Sequence, residues 1–181
     1  AQRSIAFCTG YPGSSCENLR GRLSELTGVP EDQMLFGNGA AELIFRLVQE
    51  VRPKKAVLPA PSFAEYETAL RSCGTEIAFF YLKEAESFFL NISEFLDFLR
   101  AEQPEIIFLC TPANPTGAMI RQADLSKILD YCKKHGILLV LDECFVEFLD
   151  EERSCGCIRE FLDWETGRPE HGGSLFLLRA F

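Results

Sequence analysis

Two stretches of the chain are apolar at every position, Ile106-Ile107-Phe108-Leu109-Cys110 and Ile137-Leu138-Leu139-Val140-Leu141. A strand with one wet face alternates apolar and polar residues, whereas an unbroken run is what a strand covered on both faces needs. Between the two runs, Ala123 to His135 carries apolar residues at three- and four-residue spacing and stops at Gly136, the pattern of a helix. Upstream, Ser14-Ser15 are placed to cap a helix with Leu19, Leu23 and Leu26 at helical spacing, ended by Gly28. Met34-Leu35-Phe36 is predicted as a short strand running into Gly37-Asn38-Gly39, and a helix follows with Leu43, Ile44, Leu47 and Val51 on one face. Ala56-Val57-Leu58 is a brief strand closed by Pro59 and Pro61, and Ser62 is placed to cap the next helix, which ends before Gly74. Ile77 to Leu82 is predicted as a strand, Ser93 to Arg100 as an amphipathic helix and Ser174 to Leu178 as a last strand. Asp150 to Pro169 is the least regular stretch, expected as a surface excursion with a short helix. No internal repeat or low-complexity linker interrupts the alternation. It predicts a doubly wound α/β fold: a mainly parallel sheet with helices on both faces, three layers in the order αβα, as a single domain over 1–181.

Charge narrows the partners. The net charge is -9 and no run of Lys or Arg stands out, which argues against a nucleic-acid or anionic-membrane surface. No apolar stretch approaches the roughly 18 residues that span a bilayer, and the start, Ala1-Gln2-Arg3-Ser4, lacks the long apolar segment expected of a secretory signal. The 8 cysteines are scattered, and Cys110, Cys132 and Cys144 sit in apolar runs, as small buried hydrophobes in a reducing, cytoplasmic setting would. Cys155-Gly156-Cys157 lacks C-x-x-C spacing and the only histidines are His135 and His171, so no metal is expected.

Three clusters carry the candidate chemistry, each at a predicted strand end, where ligands of parallel α/β sheets bind. Gly37-Asn38-Gly39-Ala40-Ala41-Glu42 opens a helix with small residues, as a cradle for an anion or simply as a tight turn. Thr111-Pro112-Ala113-Asn114-Pro115-Thr116-Gly117 is constrained by two prolines and a glycine, so the Asn114 amide projects from a rigid platform. Asp142-Glu143 ends a buried apolar strand, where a carboxylate is costly unless it meets a cation or hydrogen-bond donors; a capping role is the simpler alternative.

The order Tyr11-Pro12, Gly37-Asn38-Gly39-Ala40-Ala41-Glu42, Pro61-Ser62-Phe63-Ala64-Glu65-Tyr66, Asn114-Pro115-Thr116-Gly117 and Asp142-Glu143 resembles the fold-type I pyridoxal-phosphate enzymes. The match falls in the branch of the histidinol-phosphate aminotransferases and threonine-phosphate decarboxylases. The resemblance implies roles. Asp142 would pair with the protonated pyridine nitrogen, Asn114 would donate to the phenolic oxygen and Phe63 would stack on the ring. The amides of Ala40 and Ala41 would hold the phosphate, and Tyr11 would reach the cofactor of the partner subunit in a homodimer. Phe63, and Phe145 after Cys144, stand where the aminotransferases commonly carry tyrosine, which favours decarboxylation of threonine O-phosphate to an aminopropanol phosphate, a step of cobalamin synthesis. An aminotransferase acting on histidinol phosphate or a related amino acid is the alternative. A dinucleotide-binding oxidoreductase domain would want G-x-G-x-x-G, and here Ala40-Ala41-Glu42 follows Gly39; a non-catalytic interaction module is the other remote alternative.

The resemblance also places a Schiff-base lysine after the strand matched by Ser174 to Arg179, in a short segment rich in hydroxyl residues. The chain's lysines are Lys54 and Lys55 before a strand, Lys83 after one, and Lys127, Lys133 and Lys134 on a helix. The expectation is a fragment of the cofactor-binding large domain that ends before that lysine and lacks the small C-terminal domain. Alone it would bind the cofactor weakly and without turnover.

Overall fold

The computed structural model describes residues 16–149 and 175–180. The chain divides into two units, Ala1–Phe36 and Gly37–Phe181.

In the first unit, helix α1 (Glu17–Thr27) ends where Gly28 takes a left-handed conformation and its N–H bonds the Ser24 carbonyl. Of the three leucines expected on one face, only Leu23 is buried; Leu19 and Leu26 are exposed. The predicted strand at Met34–Phe36 does not form. A 3-10 turn (Glu31–Gln33) precedes it, and the Arg20 guanidinium donates to the carbonyls of Glu31 and Met34 and lies over the Phe36 ring. A side chain takes up the Met34 carbonyl that a neighbouring strand would otherwise use. The reading of Ser14-Ser15 as a cap falls outside the described residues.

The second unit contains the sheet. Its elements are α2 (Ala40–Val51), β1 (Lys55–Ala60), α3 (Ala64–Ser72), β2 (Glu76–Tyr81), α4 (Ile92–Glu102), β3 (Ile106–Cys110), α5 (Gln122–His135), β4 (Leu138–Asp142) and β5 (Leu175–Leu178). The strands lie in the order β2-β1-β3-β4-β5 and every described pairing is parallel. The expected three-layer αβα architecture is present. From β1 the chain moves outward to β2 and then returns to the other side of β1 as β3. The order therefore reverses between β1 and β3, which opens a crevice at their carboxyl ends.

Strand residues alternate between two cores. Ile107, Leu109, Leu139 and Leu141 pack with Phe95 and Leu99 of α4 and Leu125 and Ile128 of α5. Ile106, Phe108 and Val140 pack with Ile44 and Val48 of α2 and Tyr66, Ala69 and Leu70 of α3. Each unbroken apolar run is thus covered on both sides, as its composition demanded.

Local signals mislead in three places. Pro59 lies inside β1 and does not close it. Phe63, not Ser62, is the N-cap of α3, and no side chain caps that helix. Val51, at the last turn of α2, is exposed while Val48 is buried. Helix α4, by contrast, has a side-chain cap: Asn91 accepts from the N–H groups of Ser93 and Glu94. Among the described residues no helix is long and apolar enough to cross a membrane.

Candidate active site

The site forms where β1, β3 and β4 end. Cys110 and Asp142 are register partners at the ends of β3 and β4. Counting in twos from Phe108 and Val140 brings both residues onto the face covered by α2 and α3. There Asp142 is 4% exposed. Its Oδ2 accepts from the Tyr66 hydroxyl at 2.6 Å, and its Oδ1 accepts from the Cys144 backbone N–H at 2.9 Å. No lysine, arginine or histidine among the described residues pairs with it. A buried carboxylate with two neutral donors and spare lone pairs still lacks a cationic partner.

Tyr66 reaches this carboxylate from the first turn of α3. Its ring stacks on Phe108 with centroids 4.9 Å apart and meets Phe63 edge-on at 5.5 Å. Burial, reinforced by the Asp142 charge, pushes the phenol far above its ordinary range, so it stays a donor. Burial likewise raises the Cys110 thiol to about 11, with Asp142 adding to the effect. The Cys144 thiol is pushed up by burial and then by its hydrogen bond with Asp142.

Asn114 sits in a turn closed by its own backbone. The Gly117 N–H bonds the Ala113 carbonyl at 2.7 Å, and the Ala113 N–H bonds the Ala118 carbonyl at 2.9 Å. The Cys110 thiol donates to the Pro112 carbonyl at 3.1 Å, tying the turn to the end of β3. Asn114 borders a small, partly open cleft together with Ser62, Tyr66, Phe108 and Cys110. Asn114 also lines a more open cleft walled by Phe145 and Phe148.

The start of α2 supplies backbone donors. Gly39, its N-cap, has φ 89° and ψ 164° and offers no side-chain cap, leaving the amides of Ala40 and Ala41 available to a ligand. Glu42 turns back instead: its Oε2 accepts from the Asn38 N–H at 2.7 Å, and that bond holds its carboxyl below the ordinary range. Ala40, Phe63 and Cys144 all pack against the core cluster that contains Tyr66 and Phe108.

The structure therefore gathers Ala40, Phe63 and Asp142 around one core, with Asn114 on the adjoining cleft; Ala41 follows Ala40 in the first turn of α2. Tyr11 lies outside the described residues. Glu143, the other acidic residue at the end of β4, is 2% exposed and faces Arg179 at 4.0 Å, while Arg179 also bonds Glu147 at 2.7 Å. Sequence reasoning missed Tyr66, Phe108 and Cys110 as parts of the site. For Tyr66 one signal existed, its place three residues after Phe63, which sets both rings on one side of a helix.

The aminotransferase class I and II family matches residues 2–169. The chain is 38% identical over 144 residues to a threonine-phosphate decarboxylase of Salmonella typhimurium, covering 78% of this chain and 38% of that protein. It is 31% identical over 162 residues to a histidinol-phosphate aminotransferase of Methanosarcina mazei, covering 87% of this chain and 42% of that one. In structure it is similar to the histidinol-phosphate aminotransferase from Clostridium acetobutylicum. That likeness has a TM-score of 0.79 at 21% identity and covers 99% of this chain and 49% of the other, which shows the fold alone. The chain spans about two fifths of the length of these curated relatives.

Proposed function

The chain belongs to the aminotransferase class I and II family, and on that premise we propose that its strand ends form the cofactor site of a threonine-phosphate decarboxylase-like enzyme. The cofactor is pyridoxal 5'-phosphate. The observation that carries the reading is Asp142, a buried carboxylate held by neutral donors at the carboxyl end of β4 and lacking a cation among the described residues. A protonated ring nitrogen is the partner such a group requires. The rest of the set fits the same ligand. The Ala40 and Ala41 amides suit a phosphate, Asn114 supplies a donor on a fixed turn, and Phe63 an aromatic face.

When bound, the cofactor supplies an electron sink for charge developing at the substrate's Cα. The protein's part is to make that sink effective. Asp142 would keep a proton at the ring nitrogen, and Asn114 would donate a hydrogen bond to the phenolic oxygen. Tyr66, Phe108 and Phe63 exclude water from the Asp142 side and so strengthen the charge interaction there. Loss of carbon dioxide from threonine O-phosphate and protonation of Cα would yield the aminopropanol phosphate. None of the six lysines stands with Asp142. Lys55 pairs with Glu76 and Glu102 at the amino end of β1, and Lys83 pairs with Glu86 and Glu94. We therefore assign the covalent lysine to none of them, and expect the 181 residues alone to hold the cofactor without a covalent link.

Decarboxylation is preferred to amino transfer on Phe145, which presents no hydroxyl beside Asn114 at the open cleft. The 31% identity to a histidinol-phosphate aminotransferase over most of the chain supports the second reading. One experiment separates them. The protein expressed from its complete reading frame and supplied with pyridoxal phosphate should release carbon dioxide from threonine O-phosphate in step with substrate loss. Amino transfer from histidinol phosphate to 2-oxoglutarate without such release would replace the first reading with the second.

A further inference from the structure

The cofactor roles leave one well-placed polar group unused. Tyr66 is 1% exposed, and its hydroxyl has a defined partner in the core: it donates to Asp142 Oδ2 at 2.6 Å. The phenol ring is clamped between Phe108, stacked at 4.9 Å, and the edge of Phe63 at 5.5 Å. That leaves the hydroxyl little freedom to leave the carboxylate. The other oxygen, Oδ1, takes the Cys144 N–H at 2.9 Å. The two oxygens are therefore held from different directions, one by a side chain of α3 and one by the backbone that follows β4. Two such bonds fix the rotation of a carboxylate that would otherwise turn about its Cβ–Cγ bond.

We propose that Tyr66 is a positioning residue for Asp142, its hydroxyl setting the carboxylate in the orientation that receives the ring nitrogen of the cofactor. The proposal rests on the reading of Asp142 as the partner of that nitrogen. Tyr66 does not itself touch the ring nitrogen in this assignment; it acts through Asp142. A tyrosine that served only as core would act through its ring, which the Y66F variant retains.

The test uses the protein expressed from its complete reading frame and the probe pyridoxine 5'-phosphate. This probe has no aldehyde, so its binding reports the nitrogen and phosphate contacts without a covalent link. Dissociation constants are measured for wild type, Y66F, D142N and the double variant. D142N should weaken binding most. Y66F should weaken it about tenfold with Asp142 in place, the scale of a hydrogen bond to a charged group, and less than about twofold in the D142N background. Equal losses in both backgrounds, or no loss in either, would overturn the proposal and leave Tyr66 as core. If D142N itself binds as wild type does, the assignment of Asp142 falls and the proposal falls with it. If Y66F fails to fold, 3-fluorotyrosine at position 66 keeps ring and hydroxyl. Its fluorine resonance should then move on probe binding with Asp142 in place and stay unmoved in the D142N protein; a resonance unmoved in both overturns the proposal.

Discussion

Gly39 is where the fold and the proposed phosphate site depend on the same backbone angle. At φ 89° and ψ 164° it occupies a region closed to residues with a Cβ. A Cβ built there meets no atom within 4 Å, so the cost of G39A is conformational and not a clash. Holding alanine in that conformation costs about 1–3 kcal/mol, or roughly 5- to 150-fold in an equilibrium constant. The chain can bear that cost as lost stability, or escape it by returning to negative φ and turning the Ala40 and Ala41 amides away. Either route weakens the protein or the site. Gly37 is the matched control. An added Cβ would stand 2.9 Å from Cγ and Cδ2 of Leu43, so G37A is a packing fault that shifting Leu43 can relieve. The assay is urea denaturation together with pyridoxine 5'-phosphate affinity for both variants. G39A should lose about tenfold or more in affinity, or at least about 1 kcal/mol in stability, whereas G37A should keep its affinity. A G39A protein that matches wild type in both measurements would refute the claim that this angle is required.

Two further outcomes follow from the core beneath Asp142. F108A removes a ring that is 1% exposed and stacked on Tyr66, and should cost about 3–5 kcal/mol by urea denaturation; a loss below about 1 kcal/mol would mean that the stack does not support the site. The Cys110 thiol, raised to about 11, stays protonated in the fold at pH values where an unfolded chain releases its proton. Its contribution to stability is then present below about pH 9 and lost between about pH 9 and pH 11. At pH 8 iodoacetamide should modify Cys110 far more slowly than exposed Cys16, as mass spectrometry of the peptides would show; equal rates would contradict its burial.

The strands were legible because their composition answers one question, whether a face is wet. Ile106 to Cys110 and Leu138 to Leu141 are covered by helices on both sides, and no polar residue was needed in either run. The failures come from segments whose fate depends on a partner far along the chain. Met34-Leu35-Phe36 has strand composition, but Arg20, fourteen residues before Met34, takes up its carbonyl. Leu19 and Leu26 have helical spacing, yet the spacing says only which residues share a side and not what covers it. Ser62 is a favoured capping residue, but the cap position falls to Phe63, which also faces Tyr66. At Met34 and at Ser62 a local preference worth about 1 kcal/mol yields to what another residue does.

The site divides along the same line. A carboxylate ending a buried strand announces its need for donors, so Asp142 could be named from sequence, but nothing local says which donors come. Tyr66 lies 76 residues earlier, and on a helix it has the pattern of an ordinary core aromatic. Its role follows only once β3 is known to neighbour β4 in a register that pairs Cys110 with Asp142. Alternation then puts Phe108, Cys110, Val140 and Asp142 on the face that α3 covers, and a tyrosine stacked on Phe108 is brought within reach of the carboxylate. Short-range pattern thus finds the group that must be satisfied, while strand order and parity find the group that satisfies it. For that reason the double variant of Tyr66 and Asp142 probes the sheet register as directly as it probes the chemistry: a slip of one residue in β4 would turn Asp142 to the α4–α5 face and abolish the coupling.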